Sequence, residues 1–402
     1  MMLCISQILT SLSFTLDYLE IGMRSKVTSH NKRVAYIAGT IGELCNFSQE
    51  ELSDLYAYAF LHDNGIAESF PYMGDLDSKQ LELKKIHCSV GEKNIASFPF
   101  FKKRENVILY HHERADGEGL FGVPLEEVDF FARIIHLADR IELFYSLGIK
   151  PKDIKKEIYS LSGIYFEQHL MEIFDELVLN SDFWMSLDDF FLDKSILRKM
   201  PKINIANSYA DLIPVAQVYM NIIDGKSSFM SNHSASLADK AALLSNYYGF
   251  SSERIDKVIL AAQLHDIGNL ILANSILDKP GKLTEDEYMK VKYHTFYTRK
   301  ALSSIKGFED ITEWASNHHE KLNGTGYPLS YDAEKLDFES RMFACLDVYQ
   351  ALTEERSYRA SMTHEQAVNI LKEMAKKKEV QWSIVKDIEE VFREERTEEY
   401  EL

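Results

Sequence analysis

Hydrophobic side chains in this chain recur with the period of a helix. Leu52, Leu55, Tyr56 and Ala59 fall at i, i+3, i+4 and i+7 behind Ser48-Gln49-Glu50-Glu51, a serine with a glutamate three positions on that reads as a capping box. Ile255, Val258, Ile259 and Ala262 repeat the spacing two hundred residues later, and both runs end in His-Asp, at His62-Asp63 and His265-Asp266. Alternating, strand-like runs are scarce. Glycine and proline gather between the periodic segments, notably in Lys279-Pro280-Gly281-Lys282 and Asn323-Gly324-Thr325-Gly326-Tyr327-Pro328, which predicts loops there. The pattern predicts an all-α protein.

The repeat of His-Asp belongs to a longer one. His-His-Glu occurs at His111-His112-Glu113 and again at His318-His319-Glu320; the offsets of the two motifs are 203 and 207 residues. His30 precedes His62 by 32 residues, as His233 precedes His265, and His87 precedes His111 by 24, as His294 precedes His318. Asp139 follows His111 by 28 residues and Asp347 follows His318 by 29. A long period of this kind means a duplicated domain. Two tandem helical domains are expected, at 1–192 and 207–402, with Lys199-Met200-Pro201-Lys202 breaking the helical pattern between them.

Composition narrows the function. Lys and Arg total 45 against 63 Asp and Glu, a net charge of −18 in 402 residues, which opposes a nucleic acid polymer or an anionic membrane as the partner. No uninterrupted apolar stretch is long enough to span a bilayer, and Cys4, Cys45, Cys88 and Cys345 are widely spaced without a C-x-x-C pair, so a cytoplasmic protein without a disulfide framework is expected.

A lone histidine on an apolar helix face is usually a hydrogen-bonded core residue. Seven in a fixed order are not: His233, His265, Asp266, His294, His318, His319 and Asp347 offer five imidazoles and two carboxylates, more than one tetrahedral metal needs. Neighbouring side chains on a helix diverge by about 100°, so a His-Asp or His-His pair can serve two adjacent ions. Nitrogen and oxygen donors without thiolate suit iron, manganese or zinc. The first unit has the matching set His30, His62, Asp63, His87, His111, His112 and Asp139.

This constellation resembles the HD superfamily of metal-dependent phosphohydrolases, and residues 209–395 resemble its HD-GYP branch. The matching text is His265-Asp266-Ile267-Gly268, Ile276 to Thr284, His318-His319-Glu320 leading into Gly324-Thr325-Gly326-Tyr327-Pro328, Asp347 to Thr353, and Arg356-Ser357-Tyr358-Arg359. The resemblance implies a phosphodiesterase that opens a cyclic dinucleotide, cyclic di-GMP first, with two divalent metals per site activating a hydroxide. It implies that Asp266 bridges the metals, with His265 its catalytic partner; His233, His265 and Asp347 serve one ion and His294, His318 and His319 the other. Arg356, Arg359, Asn269 and Lys282 are the expected substrate-binding residues. The alternatives are another nucleotide substrate such as 3′,3′-cyclic GMP-AMP, or a weakly catalytic metal- and dinucleotide-binding signalling module, with a homodimer or a signalling protein as further partner.

Three positions depart from the family pattern. Its His-Asp-x-Gly-Lys lysine is Asn269 in the second unit and Ile66 in the first, so Lys279, Lys282 or Lys321 is the expected substitute cation. The aspartate before Gly-x-Gly-Tyr-Pro is Asn323, and the glutamate that some members place four residues before the first histidine is Phe229, or Lys26 in the first unit, which implies two metals rather than three. The first unit also has Leu120-Phe121 in place of Tyr-Pro, and is read as regulatory or as a second site.

Overall fold

The computed structural model describes residues 5–19, 29–69, 80–202, 206–227, 232–355 and 360–393. Arg356, Arg359, Lys26 and Phe229 lie outside them. Backbone contacts divide the chain into two compact units, Met2–Ile205 and Ala206–Leu402. The first unit therefore runs beyond the expected end at 192. The reason is local: Asp188 accepts from the amide of Phe190 and starts a helix at Asp189–Lys199, whose Leu192 and Ile196 are buried and which ends just before Pro201.

Both units are helical, with no strand among the described residues; isolated bridges join Ser162 with Phe166 and Asn323 with Asp332. The first unit is built on α1 (Ile5–Leu19), α2 (His30–Leu44), α3 (Gln49–Phe60), α4 (Gln80–Asn94) and α5 (Phe130–Ser146). Their counterparts are α6 (Ile213–Gly225), α7 (His233–Tyr247), α8 (Ser252–Leu264), α9 (Glu285–Leu302) and α10 (Phe338–Thr353). The helix that opens with the first histidine packs on the next helix and on the one carrying the last aspartate, α2 on α3 and α5, α7 on α8 and α10.

Polar residues fix where these helices start. Ser48 and Glu51 form the capping box of α3, Thr284 and Glu287 that of α9, and Asp129 and Asp337 cap α5 and α10. Each such cap stabilises its helix by about 1 kcal/mol. The two helices that begin with a ligand-type histidine are capped from a distance. Buried Asp17 at the end of α1 accepts from the backbone and side chain of Asn31, and buried Asp224 in α6 accepts from the amides of Ser234 and Ala235. A preceding helix thus takes the free amides of the next one, and fixes His30 and His233 at its first turn.

Candidate metal centres

In the second unit the seven residues converge from four helices and two turns. His265 terminates α8, Asp266 follows it, His294 lies in α9, and Asp347 lies in α10. The donor atoms form three overlapping groups, His233 with His265 and Asp347, His294 with His318 and His319, and His265 with Asp266 and His318. Asp266 straddles them. Its Oδ2 lies 3.5 Å from Nε2 of His265, while Oδ1 lies 3.4 Å and 3.8 Å from Nε2 of His294 and His318. Asp347 faces His233 at 3.4 Å and His319 at 3.6 Å.

The first unit repeats the arrangement. Asp63 turns Oδ2 to His30 and His62, at 3.5 Å and 3.3 Å, and Oδ1 to His87 and His111, at 3.6 Å and 3.7 Å. Asp139 stands 3.7 Å from His30, and the ring of His112 lies edge-on to His87 at 5.2 Å and tilted against His111 at 4.0 Å.

The imidazoles are oriented by their far nitrogens. Nδ1 of His62, His111, His265, His294 and His318 each donates to the carbonyl three residues back, at 2.9, 2.6, 2.8, 2.6 and 2.7 Å. That bond leaves Nε2 as the lone-pair nitrogen. The first histidine of each unit donates instead to a carboxylate, His30 to Glu142 at 2.5 Å and His233 to Glu354 at 2.8 Å. Consequently two lone pairs face each other at 3.2 Å between His30 and His62, and again between His294 and His318. Nε2 of the buried His111 and His265 has no hydrogen-bond partner. Opposed lone pairs and unsatisfied buried nitrogens call for a cation, so the residues fit divalent metals.

Burial holds His294, His318 and His319 below the ordinary histidine range, and in the first unit His112. Against burial, Asp347 and Glu354 raise His233 to about 10, and Cys88 and Asp63 hold His111 above that range. Burial would raise Asp266 and Asp347, but the surrounding histidines outweigh it and hold both well below the usual carboxylate range, as they do Asp63. Neutral imidazole and ionised carboxylate are the forms that bind metal.

Several roles were not visible in the sequence. The glutamate of His-His-Glu is a loop clamp: Glu113 accepts from the amides of Phe121 and Val123, Glu320 from those of Leu329 and Tyr331. A Cβ on Gly326 would stand 2.5 Å from Cα of Glu320, and one on Gly119 2.7 Å from Cα of Glu113, which explains the second glycine of each Gly-x-Gly. The glycine of His-Asp-x-Gly likewise lets a turn touch a helix. A Cβ on Gly268 would meet the carbonyl of His294 at 1.9 Å, and one on Gly65 that of His87 at 2.1 Å. Glu142 and Glu354, one and two helical turns beyond their aspartates, were missed, although that spacing was the signal. Cys88 was missed too, beside His87.

The expected substrate-side residues separate. Asn269 and Lys282 line a cavity of about 820 Å³ above the second centre, together with Lys279, Tyr288 and Tyr327. Lys279 is paired with Glu287 at 2.5 Å and Lys321 with Glu379 at 3.3 Å, so Lys282 is the cavity-lining lysine without an ion pair among the described residues. A buried lysine that the motif did not announce, Lys226, donates to the carbonyl of Leu270 in the turn after Asp266. Asn323 holds the turn that the family aspartate precedes. Its Oδ1 accepts from the amide of Thr325, as an aspartate would, and its Nδ2 donates to the carbonyl of Lys377 at 3.2 Å, which an aspartate could not.

Comparison with known proteins places the chain. HD-domain family models match residues 27–143 and 217–380. The 3'3'-cGAMP-specific phosphodiesterase 1 of Vibrio cholerae is 31% identical over 359 residues, 86% of this chain and 82% of that protein. This chain belongs to the HD-GYP family. It is a tandem HD-type phosphohydrolase. The cyclic di-GMP phosphodiesterase response regulator RpfG of Xanthomonas campestris is 34% identical over 37% of the chain and 38% of its own length. A crystal structure of a cyclic GMP-AMP-specific phosphodiesterase of V. cholerae matches 98% of both chains with a TM-score of 0.66 at 23% identity, which shows the common fold. No helix among the described residues is long and apolar enough to cross a membrane.

Proposed function

We propose that the second unit opens the phosphodiester ring of a 3′,3′-cyclic dinucleotide, with two divalent metals, iron or manganese, held by His233, His265, His294, His318, His319, Asp266 and Asp347. The observation that carries this reading is Asp266, whose two oxygens face separate histidine groups at the floor of the cavity. The cavity lies within the roughly 300–1,000 Å³ of small-ligand sites. Bound metals would supply Lewis-acid polarisation of a phosphate oxygen and a lowered pKa for the attacking water. The chain's own residues do the rest. Asp266 and His265 fix the two ion positions, Lys282 pairs with a phosphate, Asn269 offers its amide to the ligand, and Tyr288 and Tyr327 present ring faces to the bases.

3′,3′-Cyclic GMP-AMP is the first substrate to test, because the relative that aligns across both units carries that specificity in its name, whereas RpfG aligns over about a third of the chain. Cyclic di-GMP is the second. Asn269, in the place of the family lysine, favours one further reading, a module that binds metal and dinucleotide without turnover.

The test is anaerobic metal analysis with turnover of both dinucleotides, on wild type, Asp266→Ala and Asp63→Ala. Loss of a metal clamp removes several kcal/mol of transition-state stabilisation, so Asp266→Ala should lose about 10³-fold or more. Asp63→Ala should stay within roughly 3-fold, since each carboxylate serves its own centre. Turnover that survives Asp266→Ala removes the proposal, and tight binding with no wild-type turnover selects the binding module.

A further inference from the structure

The two centres differ in one donor. Next to His294 in the second unit stands Thr295, whose hydroxyl donates to the carbonyl of Lys292 and so turns away from the histidines. Next to His87 in the first unit stands Cys88, fully buried, with Sγ 3.5 Å from Nε2 of His87 and 3.9 Å from Nδ1 of His111. Cys88, His87, His111 and His112 form one group whose donor atoms lie within 4.8 Å of one another. Nδ1 of His111, the nitrogen nearest the thiol, donates to the carbonyl of Ile108, which leaves the buried Nε2, without a hydrogen-bond partner, as the nitrogen open to a metal. Metal–sulfur and metal–nitrogen bonds of about 2.3 and 2.0 Å at a tetrahedral angle set sulfur and nitrogen about 3.5 Å apart. The Cys88–His87 separation is that edge.

We infer that the first unit holds zinc in a closed three-histidine, one-thiolate site made by Cys88, His87, His111 and His112, chemically distinct from the nitrogen and oxygen centre of the second unit. A thiolate among imidazoles selects zinc, and four protein donors leave no open position for water or substrate. The first unit is on this account a structural and regulatory metal domain. The inference does not depend on which dinucleotide the second unit takes.

Cobalt is the probe. Anaerobic loading of the metal-free full chain with Co²⁺ should give a near-ultraviolet thiolate-to-cobalt charge-transfer band. Cys88→Thr, which installs the second unit's residue, should abolish the band and keep the circular dichroism of the wild type. A wild type without the band, or a band that persists in Cys88→Thr, overturns the inference. If Cys88→Thr does not fold, a chain with Cys4, Cys45 and Cys345 all changed to serine decides: the band retained assigns it to Cys88, and the band lost refutes that assignment.

Discussion

The two units keep the same metal-facing geometry and differ in nearly everything around it. Both set a carboxylate astride two histidine groups, lock imidazoles on the carbonyl three residues back, and clamp the following loop through a buried glutamate. Yet the second unit has Tyr327-Pro328, Thr295 and Ala344 where the first has Leu120-Phe121, Cys88 and His136. His136 is itself buried, donates to the carbonyl of Glu113, and is pushed down to about 4 by burial and the neighbouring Arg140. What is shared is held by backbone; what differs is side chain facing ligand. A duplicated scaffold can therefore keep ion-binding geometry in both copies while the side chains around it diverge.

The comparison is broken most forcefully at the glycines. Gly268→Ala drives a methyl into the carbonyl of His294, and overpacking against backbone should cost about 3 kcal/mol, roughly 6–12 °C in the melting of a unit this size. Gly65→Ala should do the same to the first unit. Calorimetry that showed both transitions moving together in either variant would mean the units are not independent. A smaller effect is expected at the supporting carboxylates. Glu354→Gln should weaken metal binding about 10–100-fold in the second unit, and Glu142→Gln similarly in the first, read by metal titration. Equal losses at both sites from one substitution would contradict separate centres.

A pH-dependent effect concerns Lys226, which burial lowers from 10.5 to about 7. Between those values the unfolded chain binds a proton that the folded unit does not, so stability rises with pH across the window, by at most about 1.4 kcal/mol per pH unit. Below about 7 both states are protonated and the cost of the buried charge is constant. Lys226→Met should remove that rise, seen as a flatter dependence of urea midpoints at pH 7, 8 and 9. Parallel slopes for wild type and variant would show that Lys226 stays charged when folded.

The helical class and the duplication were legible because both rest on spacing: the i, i+3, i+4, i+7 run before each His-Asp, and intervals of 32 and 24 residues between histidines. The unit end was not, since the helix at Asp189–Lys199 is weakly amphipathic and its assignment depends on what it packs against. Glu113 and Glu320 read as part of a ligand motif, but their partners are amides eight to eleven residues on, which no local pattern encodes. Lys226 stands 43 residues before Asn269, and only folding brings it to the same turn.

The contact at Gly268 has one more consequence. With no space for a methyl between that turn and the carbonyl of His294, the gap between the His-Asp pair and the next helix is gauged by main chain alone. Surrounding side chains can then be exchanged, as the first unit's were, without re-machining the gap. Tolerance to drift in the chamber and rigidity at the centre come from the same missing atom.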